Sequence, residues 1–220
     1  MRNGLNLSIC FFATIILIAF CLTVPVFAKQ GVPAQIESVG AAGEDIYDAV
    51  KAGDWIKARK LQGELNKTLA KLPSGKKEVA EKEPELRKSA NALEKAIKLN
   101  NKVSAMESAN NITLIAAEMS KPYQTKVPVE VSLLDYYGRE LELNAESKDK
   151  EKLSSIKEKI HWTWEKLRPD VESHGGRLEA EKFGHLLKRL RVAASGSDYS
   201  RLSASILDEV DNLEKIFLHE

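Results

Sequence analysis

Cysteine is the scarcest residue type in this sequence. Both of its cysteines, Cys10 and Cys21, lie within the first 28 residues. The remainder of the chain therefore has no disulfide, no thiolate nucleophile, no cysteine-ligated zinc and no C-x-x-C-H haem attachment. Without cross-links the fold must be stabilised by a hydrophobic core, and about 190 residues are enough to form one.

An excess of charge of either sign is also lacking. Beyond residue 28, once Arg2 is set aside, the sequence carries 32 basic and 32 acidic residues. This balance provides no general attraction to nucleic acid or anionic lipid, so neither is an expected partner. The sequence has no Gly-rich phosphate loop, no G-x-S-x-G and no H-E-x-x-H, so these motifs give no reason to expect an enzyme.

Residues 1–28 are typical of a secretory signal peptide. Arg2 precedes an uncharged apolar run, and Ala28 provides a small residue at the cleavage position before Lys29. We therefore expect an exported protein, in a bacterial periplasm, that is not inserted in the membrane after cleavage. The alternative is an uncleaved anchor, because residues 9–28 are uncharged and long enough to span a bilayer.

The rest of the chain, residues 29–220, is predicted to be a single all-α domain of about eight helices, with a subdivision possible near residues 73–84. Proline and glycine are sparse, and apolar residues between them recur at helical spacing. The predicted helices cover approximately residues 36–50, 55–72, 86–97, 102–120, 128–145, 150–167, 177–195 and 198–218.

These helices are expected to form antiparallel hairpins. The turns at Asp54, Asn100, Asp149 and Asp198 are evenly spaced, which fits either an up-and-down bundle or a short stack of α-hairpins. Each of the three aspartates is expected to cap the following helix by accepting backbone N–H bonds in its first turn.

The fourth helix has apolar residues almost all round its axis, from Val103 to Met119, and is predicted to be central. Asn110 lies on its apolar side. A buried amide without partners costs about 1–3 kcal/mol. Asn110 therefore either forms a structural hydrogen bond or contacts a ligand.

The sixth helix carries the candidate metal site. Glu158, His161 and Glu165 share one flank, beside a core stripe that includes Trp164. They form either a weak metal site or an exposed Glu–His pair worth a few tenths of a kcal/mol. His161 is also the candidate axial ligand if the protein binds haem, although no cofactor is predicted outright.

A dinuclear site is poorly supported, because a second Glu-x-x-His pair is missing. Glu181 and His185 are four residues apart, and His185 lies away from the apolar stripe of its helix. Trp162 points away from the core stripe, which indicates a partner surface or a second packing surface.

The fifth helix carries a second dense polar group. Asp135, Arg139 and Glu142 are spaced four and three apart, which favours an exposed ladder of ion pairs. The alternative is a cleft in which Arg139 holds an anionic ligand. Gly138 lies on the apolar face of the same helix, so another helix is expected to pass close to it.

The leading hypothesis is an exported, non-enzymatic helical protein of the cell envelope that binds an unidentified protein or small ligand. Its candidate contacts are Asn110, Asp135, Arg139 and Trp162. The alternative is a metal- or haem-binding helical bundle that uses His161 and the nearby glutamates.

Overall fold

The computed structural model describes residues 30–73 and 76–218. Of these residues 81% are helical and none belongs to a strand, apart from an isolated bridge between Gly31 and Gln124. The described helices are α1 (Ala34–Lys51), α2 (Trp55–Leu69), α3 (Lys77–Lys98), α4 (Lys102–Ser120), α5 (Val129–Leu143), α6 (Lys150–Ser173), α7 (Arg177–Val192) and α8 (Gly196–Leu218). The prediction of an all-α chain with eight helices is confirmed.

The predicted signal peptide, residues 1–28, lies outside the described residues. None of the helices that the structure describes is long and apolar enough to cross a membrane.

Side-chain caps begin three of the helices. Asp54, Asn101 and Asp149 each accept a hydrogen bond from the backbone N–H three residues further on, which starts α2, α4 and α6. The predicted cap at Asp198 is wrong. Ser195 takes that role, because α8 begins at Gly196 and Ser195 Oγ accepts from Asp198 N at 3.1 Å.

Helix α6 is longer than predicted and continues through Pro169 to Ser173. Proline has no N–H to donate to the carbonyl four residues earlier and normally disfavours a helix interior. Here Leu167 and Val171 are both fully buried on either side of it, and their burial is worth about 1.5–3 kcal/mol each. The core stripe therefore extends past the proline.

The eight helices form two successive rings of four. In the first ring α1 packs on α2 and α4, and α3 packs on both α4 and α2. In the second ring α5, α6, α7 and α8 repeat this order, and α4 against α5 joins the two rings. The hairpins are thus organised as two up-and-down bundles.

In each ring the first helix and the last helix approach each other closely at a glycine. A Cβ on Gly43 in α1 would lie 2.7 Å from Thr113 Oγ1 in α4, and one on Gly138 in α5 would lie 2.9 Å from Leu207 Cδ2 in α8. The two glycines are 95 residues apart, as are Asp54 and Asp149. The expectation that a helix passes close to Gly138 is confirmed.

The hydrophobic core consists of two clusters, one in each ring. The first runs from Ile36 to Tyr123 and the second from Val131 to Phe217, so the boundary falls between α4 and α5. Within 73–84, where the sequence allows a subdivision, residues 77–84 form the start of α3, and Val79 among them is buried in the first cluster. The assignment of 29–220 as a single domain stays a prediction.

Helix α4 is central, as predicted, because it packs against α1, α3 and α5. Most of its apolar side chains from Ala105 to Met119 are buried, and Leu114 is intermediate. Val103, in the first turn of α4, is 58% exposed.

Candidate functional site: the groove between α6 and α7

A groove of about 1130 Å³ lies between α6 and α7. The two helices run antiparallel: Lys157 Nζ donates to the carbonyl of Arg191 at one end, while Trp164 stacks on Phe183 nearer the other. They pack less closely on each other than α6 packs on α5 or α7 packs on α8. This spacing leaves the groove open along the pair.

The floor of the groove is apolar. Trp164 is 1% exposed and its ring lies 4.4 Å from that of Phe183. Ala180, Leu187 and Leu190 complete the apolar lining. Beside them, a Cβ built on Gly184 would meet no heavy atom within 4 Å, so this glycine leaves room in the groove.

The walls of the groove carry charges of both signs in an uneven distribution. The end formed by the start of α6 and the end of α7 has Lys157, Glu158, Lys188 and Arg191, a net charge of two positive units. The opposite end has two arginines and three glutamates, a net charge of one negative unit: Glu165, Arg168, Glu172, Arg177 and Glu181. The groove therefore has a basic end and an acidic end.

Several wall charges are available to a ligand. Arg168 pairs with Glu172 at 2.7 Å and Arg177 with Glu181 at 3.5 Å, both within one helix. Glu158, Glu165 and Lys188 have no ion pair within the described ranges. Exposed pairs are worth at most about 1 kcal/mol, so even the paired arginines can exchange partners at small cost.

The three residues predicted as a metal site, Glu158, His161 and Glu165, all line this groove. Across residues 30–73 and 76–218, however, no three histidine, aspartate or glutamate side chains are grouped closely enough to hold a metal ion. The predicted residues therefore lie on one surface, but their side chains are not close enough together to bind one metal ion.

Sequence reasoning missed the contribution of α7 to this surface. His185 and Glu181 also line the groove, opposite His161. Their four-residue spacing does not repeat the Glu-x-x-His motif, but it does place both side chains on one helix face. The signal that would have located them is the antiparallel α6–α7 pairing, which the helical spacing alone does not specify.

The two tryptophans of α6 lie as predicted relative to the core. Trp164 is buried, whereas Trp162 is 69% exposed and lies 5.5 Å from the His161 ring. Trp162 does not line the groove. The partner surface predicted at Trp162 remains a prediction.

The predicted surface ladder on α5 is wrong, because Asp135 and Arg139 are buried. They lie where α5 faces α1 and α8. Arg139 Nε is 3.2 Å from Asp135 Oδ2, Arg139 Nη2 is 3.9 Å from Asp48, and the guanidinium lies 4.8 Å above the Tyr47 ring. The sequence did not reveal that the side chains of α1 reach across to α5.

This junction is rich in carboxylates, which removes the case for an anionic ligand on Arg139. Burial, and then the neighbouring Asp135, raises the pKa of Glu44 to about 8. Burial likewise raises the pKa of Asp135 to about 6, against the opposing effect of Arg139. Asp48, Asp211 and Glu214 add negative charge around them. Arg139 thus interacts electrostatically with acidic groups from three helices.

The remaining polar contacts at this junction tie the two rings together. Tyr47 donates to Glu142 Oε2 at 2.8 Å, and Lys51 pairs with Glu142 Oε1 at 2.5 Å. Asn110, which is fully buried, donates through Nδ2 to the Tyr136 carbonyl and to Glu140 Oε1, each at 3.2 Å. The Asn110 amide therefore forms structural hydrogen bonds between α4 and α5.

No family model matches the chain, and no curated protein or solved structure shows significant similarity to it.

Proposed function

We propose that this protein is an exported, non-enzymatic binding protein of the cell envelope, and that its ligand occupies the groove between α6 and α7. The observation that carries this proposal is the groove itself. It combines an apolar lining that includes the partly exposed Leu187, open space at Gly184 and charged side chains on both walls. Binding sites typically combine an apolar surface with a few polar groups that orient the ligand.

The location in the cell envelope follows from the predicted signal peptide at residues 1–28, and we place the protein in a bacterial periplasm. The binding role follows from the groove and from the lack of the phosphate-loop, G-x-S-x-G and H-E-x-x-H motifs in the sequence. Asp135 and Arg139 do not contribute to it, because they are buried between α1, α5 and α8 rather than open to a ligand.

Site-specific photocrosslinking in the native compartment tests this proposal. A photoreactive side chain at position 184 faces the groove, whereas one at position 63 provides a matched control. Gly63 is a glycine inside α2 whose Cβ would also meet nothing within 4 Å. We expect a discrete adduct from position 184 alone. Equal or absent labelling at the two positions would refute the groove as the binding site.

The alternative function is metal or haem binding in the same groove. The observation in its favour is that His161 and His185, from the two different helices, both line the groove, as do Glu158, Glu165 and Glu181. Metal analysis and absorption spectra of protein isolated from its native compartment test it. Stoichiometric metal, lost in His161→Ala, would establish this function in place of the first.

A further inference from the structure

We propose that the ligand of the α6–α7 groove is an amphipathic helix of a partner protein, held with its acidic half over Lys188 and Arg191. This inference rests on the proposed function, since it names the class of ligand for the same groove. Its support comes from the shape of the groove, the spacing of its charges and their uneven distribution.

The shape favours an elongated ligand over a compact one. Small-molecule sites usually enclose about 300–1000 Å³ and bury most of the ligand, whereas this groove is larger, at about 1130 Å³, and open along its side. Helix α7, which forms one wall, has 16 residues and is therefore roughly 24 Å long. A ligand that uses the whole groove must extend over a similar length.

The spacing of the wall residues matches what a helix pair presents to a third helix. On α6 the wall positions are Glu158, His161, Glu165, Arg168 and Glu172, separated by three or four residues. In coiled coils, charged residues at such positions flank an apolar seam and determine partner choice and orientation. The partly exposed Leu187 and the open space beside Gly184 provide that seam.

The charges exclude two other elongated ligands. A polyanion that extends along the whole groove would match only the basic end, because the other end has a net negative charge from glutamates 165, 172 and 181 against two arginines, and like charges at close range disfavour binding. A lipid acyl chain would leave the charged walls without partners, and desolvating unpaired charges is costly. A helix with an apolar stripe and flanking charges of both signs satisfies the floor and the walls together.

The uneven charge distribution also predicts the orientation of this helix. Lys157, Lys188 and Arg191 make one end of the groove basic, and Glu165, Glu172 and Glu181 make the other acidic. The partner helix is therefore acidic in the half above Arg191 and basic in the half above Glu181. Acidic residues stabilise the N-terminal turns of a helix and basic residues the C-terminal turns, so this helix runs antiparallel to α7.

Two synthetic peptides of about 18 residues, each spanning roughly 27 Å as a helix, test this inference on the mature protein. Both carry the same leucine stripe and the same composition. One has glutamates flanking the stripe in its first half and lysines in its second, whereas in the other glutamates and lysines alternate along the whole length, so that neither binding direction matches the two ends of the groove. Fluorescence anisotropy of labelled peptides gives the two affinities.

We expect the peptide with the acidic first half to bind on the order of tenfold more tightly, a difference of about 1.4 kcal/mol. The double variant Lys188→Glu/Arg191→Glu should abolish or reverse this preference. Gly184→Leu should fill the groove and weaken both peptides, whereas the matched variant Gly63→Leu should leave both affinities unchanged. Both glycines have open space around the Cβ position, so both variants should fold.

Equal affinity for the two peptides, no binding of either, or binding that Gly184→Leu leaves intact would overturn the helix proposal. Photocrosslinking at position 184 shows whether the helix proposal alone is wrong or the proposed function is wrong as well. An adduct with a ligand that is not a polypeptide would refute the helix and retain the groove. Loss of both the adduct and peptide binding would refute both.

Discussion

Replacing Glu44 with glutamine should make the stability of this protein less dependent on pH. Burial raises the pKa of Glu44 to about 8, whereas its ordinary value is 4.5. Between these two pH values the folded protein holds a proton on Glu44 that the unfolded chain has released. This contribution to stability is complete below about pH 4.5 and is lost as the pH rises to 8. A glutamine side chain cannot ionise, so the Glu44→Gln variant lacks this loss.

The magnitude follows from the size of the pKa change. One pKa unit corresponds to about 1.4 kcal/mol, so a rise from 4.5 to about 8 gives an upper limit of about 5 kcal/mol. Glu44 is partly exposed, so solvent screening of its charge lowers this limit. We therefore expect Glu44→Gln to exceed the wild type in stability by roughly 2–4 kcal/mol at pH 9. At pH 4.5 or below, the two proteins should be nearly equal.

Urea denaturation at pH 4.5, 7 and 9, followed by circular dichroism, measures this difference. Asp45→Asn removes a neighbouring exposed carboxylate and controls for the loss of one negative charge. Asp135→Asn is a less clean test, because it also removes the partner that lies 3.2 Å from Arg139. If the wild type and Glu44→Gln lose the same stability between pH 4.5 and 9, the junction does not hold the proton and the reasoning is refuted.

Three further predictions concern the core, the glycines and the N-terminus. Trp164→Ala should cost about 3–5 kcal/mol in the free energy of unfolding, whereas Trp162→Ala should cost less than half as much; equal losses by thermal denaturation would show that both rings are core residues. Gly43→Ala should destabilise the protein by about 1–3 kcal/mol, because its Cβ would lie 3.0 Å from a backbone carbonyl, while Gly63→Ala should be neutral or stabilising by up to about 1 kcal/mol. Mass spectrometry of the exported protein should find Lys29 or a near neighbour as its first residue, and an intact Met1 in a membrane fraction would instead establish an anchor.

The helices of this protein are predictable from the sequence because their signals are local. Caps such as Asp54 and stripes such as the one containing Trp164 involve residues within a few turns of each other. The errors have local causes too. A proline such as Pro169 is typical of a helix end, whereas burial of Val171 carries α6 past it. The cap expected at Asp198 is replaced because Ser195 offers a competing cap three residues earlier.

Only the α6 wall of the candidate site can be predicted from the sequence, and the reason differs from the one that applies to the helices. Glu158, His161 and Glu165 can be placed on one flank because they share α6, but the opposite wall comes from α7, and a single helix does not specify its neighbour. The same limit explains the error at Asp135 and Arg139. Their spacing suggests an exposed ladder, and their burial depends on residues of α1 such as Asp48 and Tyr47, which lie about 90 residues earlier in the chain.

The arrangement of two similar rings also explains why the groove, rather than an end of the molecule, is the surface that we assign to a partner. In the first ring, the outer face of α4 is apolar and packs on α5. Helix α8 holds the equivalent place in the second ring, but the residues on its outer face are small or charged and exposed: Ala204, Asp208 and Lys215. A polar outer face is what terminates a stack of helical repeats and keeps it soluble. The pairing that joins the two rings therefore does not extend to a third through α8. The groove between α6 and α7 stays open, because the gap between these helices is not filled by another described helix.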